Sequence, residues 1–214
     1  MKRTIVLGVA LLFAPGLYGQ DSIDSLESRL NRNPSDPVTM MQLGRAYHKK
    51  AVAGNTDAVD KGFECFDKIL TSDPTNAVAL VYRGSLWTMR ARDAWWPFTK
   101  LHDADRGVDE MDKAVELAPD VIEVRIVRGI NSTQLPSMFR RNPIAMRDFA
   151  TLLARPDFPH LDPGLQSTIY YWAGVASDQD NQPDKARELF RKAAECAPGS
   201  GTAERAKAKL KELS

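Results

Sequence analysis

Residues 183–198, PDKARELFRKAAECAP, decide how the rest of this 214-residue chain is read. Ala186, Phe190 and Ala193 fall on one helical face, and Pro198 follows Phe190 by eight residues, where it ends the helix. The same frame stands twice more upstream. Phe66 is followed at that distance by Pro74, and Met111, with Ala114 three residues on, is followed at that distance by Pro119. A helix, turn and helix repeated along a chain bury each other's apolar faces only by stacking. The helix starts agree with this frame. Asp36, Asn142 and Asp162 each precede a proline, placing an N-cap acceptor ahead of a residue whose missing N–H costs nothing at the first helical position. Thr75 after Pro74 and Gln182 before Pro183 are weaker versions.

Working outward, the sequence predicts a leading helix over 22–31 with Ile23, Leu26 and Leu30 on one face. Four helix pairs follow, over 37–50 with 56–72, 77–92 with 103–117, 121–132 with 143–154, and 163–177 with 183–197. A charged helix over 202–213 is expected to shield the last pair from water. Gly44 and Gly62 leave room where helices cross, and Tyr47 and Phe66 fill the neighbouring space. Gly84 with Trp87, Gly107 with Met111, and Gly174 with Tyr170 extend the pattern. The third pair is least regular, keeping Gly129 and an apolar face of Ile144, Met146, Phe149, Leu152 and Leu153.

These residues resemble the tetratricopeptide repeat (TPR) family over roughly Asp36 to Leu213, most fully in the fourth pair; Arg83 stands where the family has leucine. The resemblance implies an all-α, TPR-like α-solenoid of about four helix pairs with a leading helix and a C-terminal capping helix. It also implies a scaffold that binds a protein or peptide partner.

The first residues read differently. Lys2 and Arg3 precede an apolar run from Ile5 to Ala14, and Gly19 closes a short region after it, the pattern of a signal peptide over 1–19 followed by a helical repeat domain over 20–214. Leu17 makes the cleavage site imperfect, so retention as an anchor is the alternative. Pro15 and Gly16 interrupt the run short of the ~20 apolar residues that span a bilayer. Export to the periplasm is the expected destination. Removing Lys2 and Arg3 takes the formal net charge from +1 to −1, a balance that argues against a nucleic-acid partner. Cys65 and Cys196 sit several repeats apart in a solenoid, farther than the ~6 Å between Cα atoms that a disulfide tolerates, so free, buried thiols are expected. A bridge is the alternative that export would permit.

The turns within pairs differ in length. From first-helix to second-helix key position the spacing is 19 residues for Tyr47 to Phe66, 24 for Trp87 to Met111, and 13 for Ser177 to Phe190. The second insertion, 91–101, reads ARDAWWPFTKL, and the third, 135–143, reads LPSMFRRNP. Together with Ile122-Glu123-Val124-Arg125 they resemble segments of uncharacterised bacterial exported TPR proteins, a likeness that names no activity. Arg92, Trp95, Trp96, Phe98, Phe139, Arg140 and Arg141 are the candidate binding residues, aromatics supplying area and arginines pairing with carboxylate or phosphate. The competing expectation is that the aromatics plug a gap opened by the longer turns, with Arg92 and Asp93 forming a local ion pair of little consequence. An acidic small molecule held by the same residues, in a carrier or transporter accessory protein, is the alternative to a protein partner. No enzyme is expected. His48, His102 and His160 are scattered, no phosphate loop or nucleophile elbow occurs, and Asp103 and Asp105 beside His102 read as helix-start residues rather than metal ligands. No cofactor is expected.

Overall fold

A computed structural model describes residues 21–213; the expected signal peptide lies outside them. Among the described residues there are ten α-helices, two short 3-10 turns and no strand. In chain order the helices are α1 (Ile23–Arg32), α2 (Pro37–Val52), α3 (Asp57–Ser72), α4 (Ala77–Asp93), α5 (Pro97–Leu117), α6 (Ile122–Gln134), α7 (Asn142–Leu153), α8 (Pro163–Gln179), α9 (Pro183–Cys196) and α10 (Gly201–Glu212). They fall into two compact units, residues 21–124 and 125–213, divided within α6.

Most starts follow the expected chemistry. Asp36 Oδ1 accepts from the Val38 N–H at 3.2 Å, and Asp162 Oδ1 from those of Gly164 and Leu165 at 2.9 and 3.1 Å. Three caps differ from expectation, the first being Gln182, whose side chain caps nothing and donates to Asp180 at 2.6 Å. Asn76, not Thr75, accepts from the Ala79 N–H at 3.0 Å, because Thr75 is drawn back to Asp73 by its own hydroxyl and N–H. Asn142 lies inside the first turn of α7, its amide donating to the Ala176 carbonyl at 3.1 Å.

In the first unit α1 packs on α2, α2 on α3, α3 on α4 and α4 on α5. The glycines sit where facing side chains need room. A methyl group added at Gly44 would lie 2.7 Å from the Phe66 ring, and one at Gly62 2.7 Å from Leu86. At Gly84 the obstacle is backbone, since an added methyl would meet the Gly107 carbonyl at 2.7 Å, and one at Gly107 would meet the Gly84 carbonyl at 2.6 Å. Phe66 and Met111 are fully buried, each stabilising the fold by about 1.5–3 kcal/mol over an exposed side chain.

Several polar groups in this core are paired, although the buried Trp87 indole N–H has no hydrogen-bond partner. His48 Nε2 is 2.8 Å from Ser85 Oγ, and burial pushes the imidazole pKa down from 6.5 to about 3. Glu123 takes a two-pronged bond from Arg45, at 2.8 and 2.6 Å, and a third from the Tyr82 hydroxyl at 2.7 Å. Arg83, the residue out of place in the repeat frame, links three helices by pairing with Glu110 at 2.9 Å and Asp67 at 2.8 Å.

The second unit repeats the glycine-on-ring arrangement at Gly129 with Phe149 and at Gly174 with Phe190, an added methyl falling 2.9 and 2.7 Å from the rings. The third pair therefore keeps the packing frame that its sequence shows only faintly. Asp148, fully buried, receives Arg125 at 2.8 Å and Arg128 at 2.7 Å. Breaking such a pair from one side leaves a charge stranded away from water. Ala203 and Ala206 of α10 are buried, and α10 packs on α9 and α8 as the expected cap. Both cysteines are free. Cys65 is buried, whereas Cys196 is only half-buried, because it closes the last turn of α9 where packing gives out.

Candidate functional site

The second insertion is not the long turn between helices 77–92 and 103–117 that the sequence predicted. α4 continues to Asp93 and α5 begins at Pro97 rather than Asp103, so only Ala94, Trp95 and Trp96 connect them. Pro97 at the first helical position fixes that start. The helix is lengthened by exposed turns, every residue from Trp95 to His102 being exposed and burial beginning at Asp103. Asp103 is accordingly no helix cap. It is a buried carboxylate held by Arg90 at 3.0 Å.

Trp95, Trp96 and Phe98 come together at this tip. Their ring centroids lie 5.8 and 6.3 Å apart, and they are 88, 53 and 75 % exposed. They plug no gap. The aromatic that does fill the hairpin is Trp87, buried with Arg90 stacked 3.8 Å and Arg106 3.9 Å from its ring centre and Phe63 edge-on at 4.9 Å. Arg92 is engaged locally, with two bonds to Asp93 at 2.7 and 2.8 Å. That carboxylate raises the guanidinium pKa further. Lys100 donates to the Arg92 carbonyl at 3.3 Å. Leu101, 45 % exposed, stands three residues beyond Phe98 and so shares its face. Lys100 and Leu101 were legible as neighbours of the aromatics, but only the exposure of the whole turn shows that they belong with them.

The third insertion lies in the second unit and folds as a 3-10 turn, Ser137–Phe139, ahead of α7. Met138 is 73 % exposed and Phe139 half-buried. Arg140 has φ 51°, a left-handed conformation that non-glycine residues rarely adopt. Arg141 is half-buried and flanks the start of α7. The hollow in the first unit lined by Asp67, Leu70, Leu80, Arg83 and Lys113 contains none of the candidate residues.

Paired antiparallel helices with a small residue of one helix against a ring or backbone of the next match solved structures closely enough to decide the architecture. TTC0263, a thermophilic TPR protein in Thermus thermophilus, is similar at 17 % identity and a TM-score of 0.70, over 88 % of each chain. The chain has the tetratricopeptide-repeat fold. MamA (20 % identity, TM-score 0.49, 87 % of this chain and 89 % of that one) is also similar. So is a TPR protein from Parabacteroides merdae ATCC 43184 (14 %, 0.33, 89 and 90 %). No protein-family model and no curated protein matches the sequence. Against the TPR fold, the lengthened α4–α5 hairpin with its exposed aromatics is the feature that repeat packing leaves unexplained.

Proposed function

We propose that the chain is an exported, periplasmic TPR scaffold that holds a protein or peptide partner, with Arg92, Trp95, Trp96 and Phe98 on one segment and Phe139, Arg140 and Arg141 on another as contact residues. The carrying observation is the exposure of Trp95 and Trp96 in the connecting turn and of Phe98 in the first turn of α5. Large aromatics left outside a completed core are the usual anchors of contact surfaces. The stacked helix pairs supply extended surface without a deep pocket. The proposed role is binding, and the His48 imidazole paired with the Ser85 hydroxyl is buried with it. A small-molecule carrier would need its ligand enclosed beside Arg92 or Arg140, and Arg92 is committed to Asp93.

Affinity capture from envelope extracts tests this. The wild-type chain should retain one stoichiometric protein that the Trp95→Ala/Phe98→Ala and Arg140→Ala variants release. Equal retention by all three sinks the assignment of the contact residues. N-terminal sequencing of the cellular protein should begin at Gln20, and recovery only from the cytoplasm sinks the export.

A further inference from the structure

Resting on the reading of the α4–α5 tip as a contact surface, we infer that the tip also enters the interfacial layer of a phospholipid bilayer, at whose surface the scaffold holds its partner. Three observations converge on this occupant. The first is shape. Eight consecutive exposed residues, Trp95 to His102, wrap a three-residue turn, so the tip is convex and enters its partner.

The second is the kind of side chain. Trp95 and Trp96 pair an apolar ring with an N–H donor and so settle at headgroup depth, while Phe98 and Leu101, on one face of the same helical turn, supply purely apolar area beside them. The third is charge. From Ala94 to His102 there is no carboxylate and there is one lysine, Lys100. The flanking acids are neutralised in place, Asp93 by Arg92 and Asp103 by Arg90. This arrangement suits a tip that meets anionic headgroups, with a cation at the rim and no carboxylate in the exposed run from Trp95 to His102, the exposed Asp105 lying further along α5. Insertion is shallow, and the helices of the repeat stay in water, since no helix among the described residues is long and apolar enough to cross a membrane.

The test uses the full chain with vesicles of phosphatidylcholine containing a minority of phosphatidylglycerol, part of the lipid brominated on its acyl chains. Trp87 and Trp172 are buried, so quenching reports Trp95 and Trp96. Wild-type emission should be quenched. Trp95→Ala/Phe98→Ala, which keeps Trp96 as reporter, should bind about tenfold more weakly by co-sedimentation with an unchanged melting curve. Lys100→Gln should weaken binding about fivefold on the anionic vesicles and leave it unchanged on pure phosphatidylcholine.

Vesicle binding equal in wild type and double variant would overturn the inference, because another part of the chain would then be responsible. No quenching, together with loss of the captured protein in the double variant, would overturn it too and leave the scaffold reading standing with a protein at the tip. No quenching and unchanged capture would remove both.

Discussion

The α4–α5 and α8–α9 hairpins are built on the same plan and solve the crossing of their helices in different ways. In α8–α9 the Phe190 ring fills the space over Gly174, and Ser167 Oγ donates to the Ala193 carbonyl at 2.7 Å. In α4–α5 two glycines meet, Gly84 against Gly107, and peptide groups touch directly. A ring in a gap is adjustable, because its neighbours can shift by tenths of an ångström. Peptide against peptide is not. The second arrangement fixes the register of the two helices with the smallest residues available, and the large side chains near the tip are then surplus to packing. Both hairpins close over three residues, one at Asn181 with φ 56° and the other in an exposed cluster of rings.

Substitutions can break this contrast, and the largest effect should come from the ring itself. Phe190→Ala should destabilise the second unit by about 3–5 kcal/mol in chemical denaturation, and Phe66→Ala should do the same in the first. Next come the glycines. Gly107→Ala forces backbone apart and should cost about 3 kcal/mol, whereas Gly174→Ala displaces a side chain and should cost about 1–2 kcal/mol. The gain in helix propensity is common to both and cancels. Equal costs would show that the two crossings do not differ as described.

Acid should separate the two units as well. His48 is buried and neutral, with a folded pKa of about 3 against 6.5, while His160 in the second unit is exposed. The unfolded chain takes up the His48 proton first, so this contribution to stability is complete above pH 6.5 and is lost as pH falls toward 3, by about 1.4 kcal/mol per unit at most. Hydrogen exchange at pH 6.5 and 5.5 should show the first unit loosening more than the second, and His48→Gln should flatten that difference. The smallest effect belongs to the tip. Trp95→Ala/Phe98→Ala should leave the melting temperature almost unchanged, within about 0.5 kcal/mol of wild type. A large fall would return these rings to the core.

The fold was legible because its determinants are local and periodic. Phe66, Met111 and Phe190 stand eight residues before a proline, and the glycines that receive them mark the crossings. Phe149 carries the same packing with no proline in register, so Gly129 and the apolar face of 144–153 were the signs of its place. The α4–α5 extension reads as a turn from the 24-residue spacing of Trp87 and Met111, although Trp96-Pro97 bears a proline start like those at Asp36-Pro37 and Asp162-Pro163. Exposure was not legible at all. Whether a tryptophan seals a core or faces outward depends on what lies across from it, and the sequence places Trp87 and Trp95 only eight residues apart. Nor could the sequence show that Arg92 would be taken up by its neighbour Asp93 while Arg125 and Arg128 converge on the buried Asp148.

Cys65 has a practical consequence. Burial pushes its thiol up to about 11, so at neutral pH it is almost wholly protonated as well as sealed beneath the α2–α3 crossing, and alkylating reagents should reach it only when that crossing opens. Cys196 is half-buried at the end of α9 and should be modified far sooner. The unaltered chain thus contains its own clock, since the delay between the first and second adduct in a mass spectrum measures how often the first hairpin breathes.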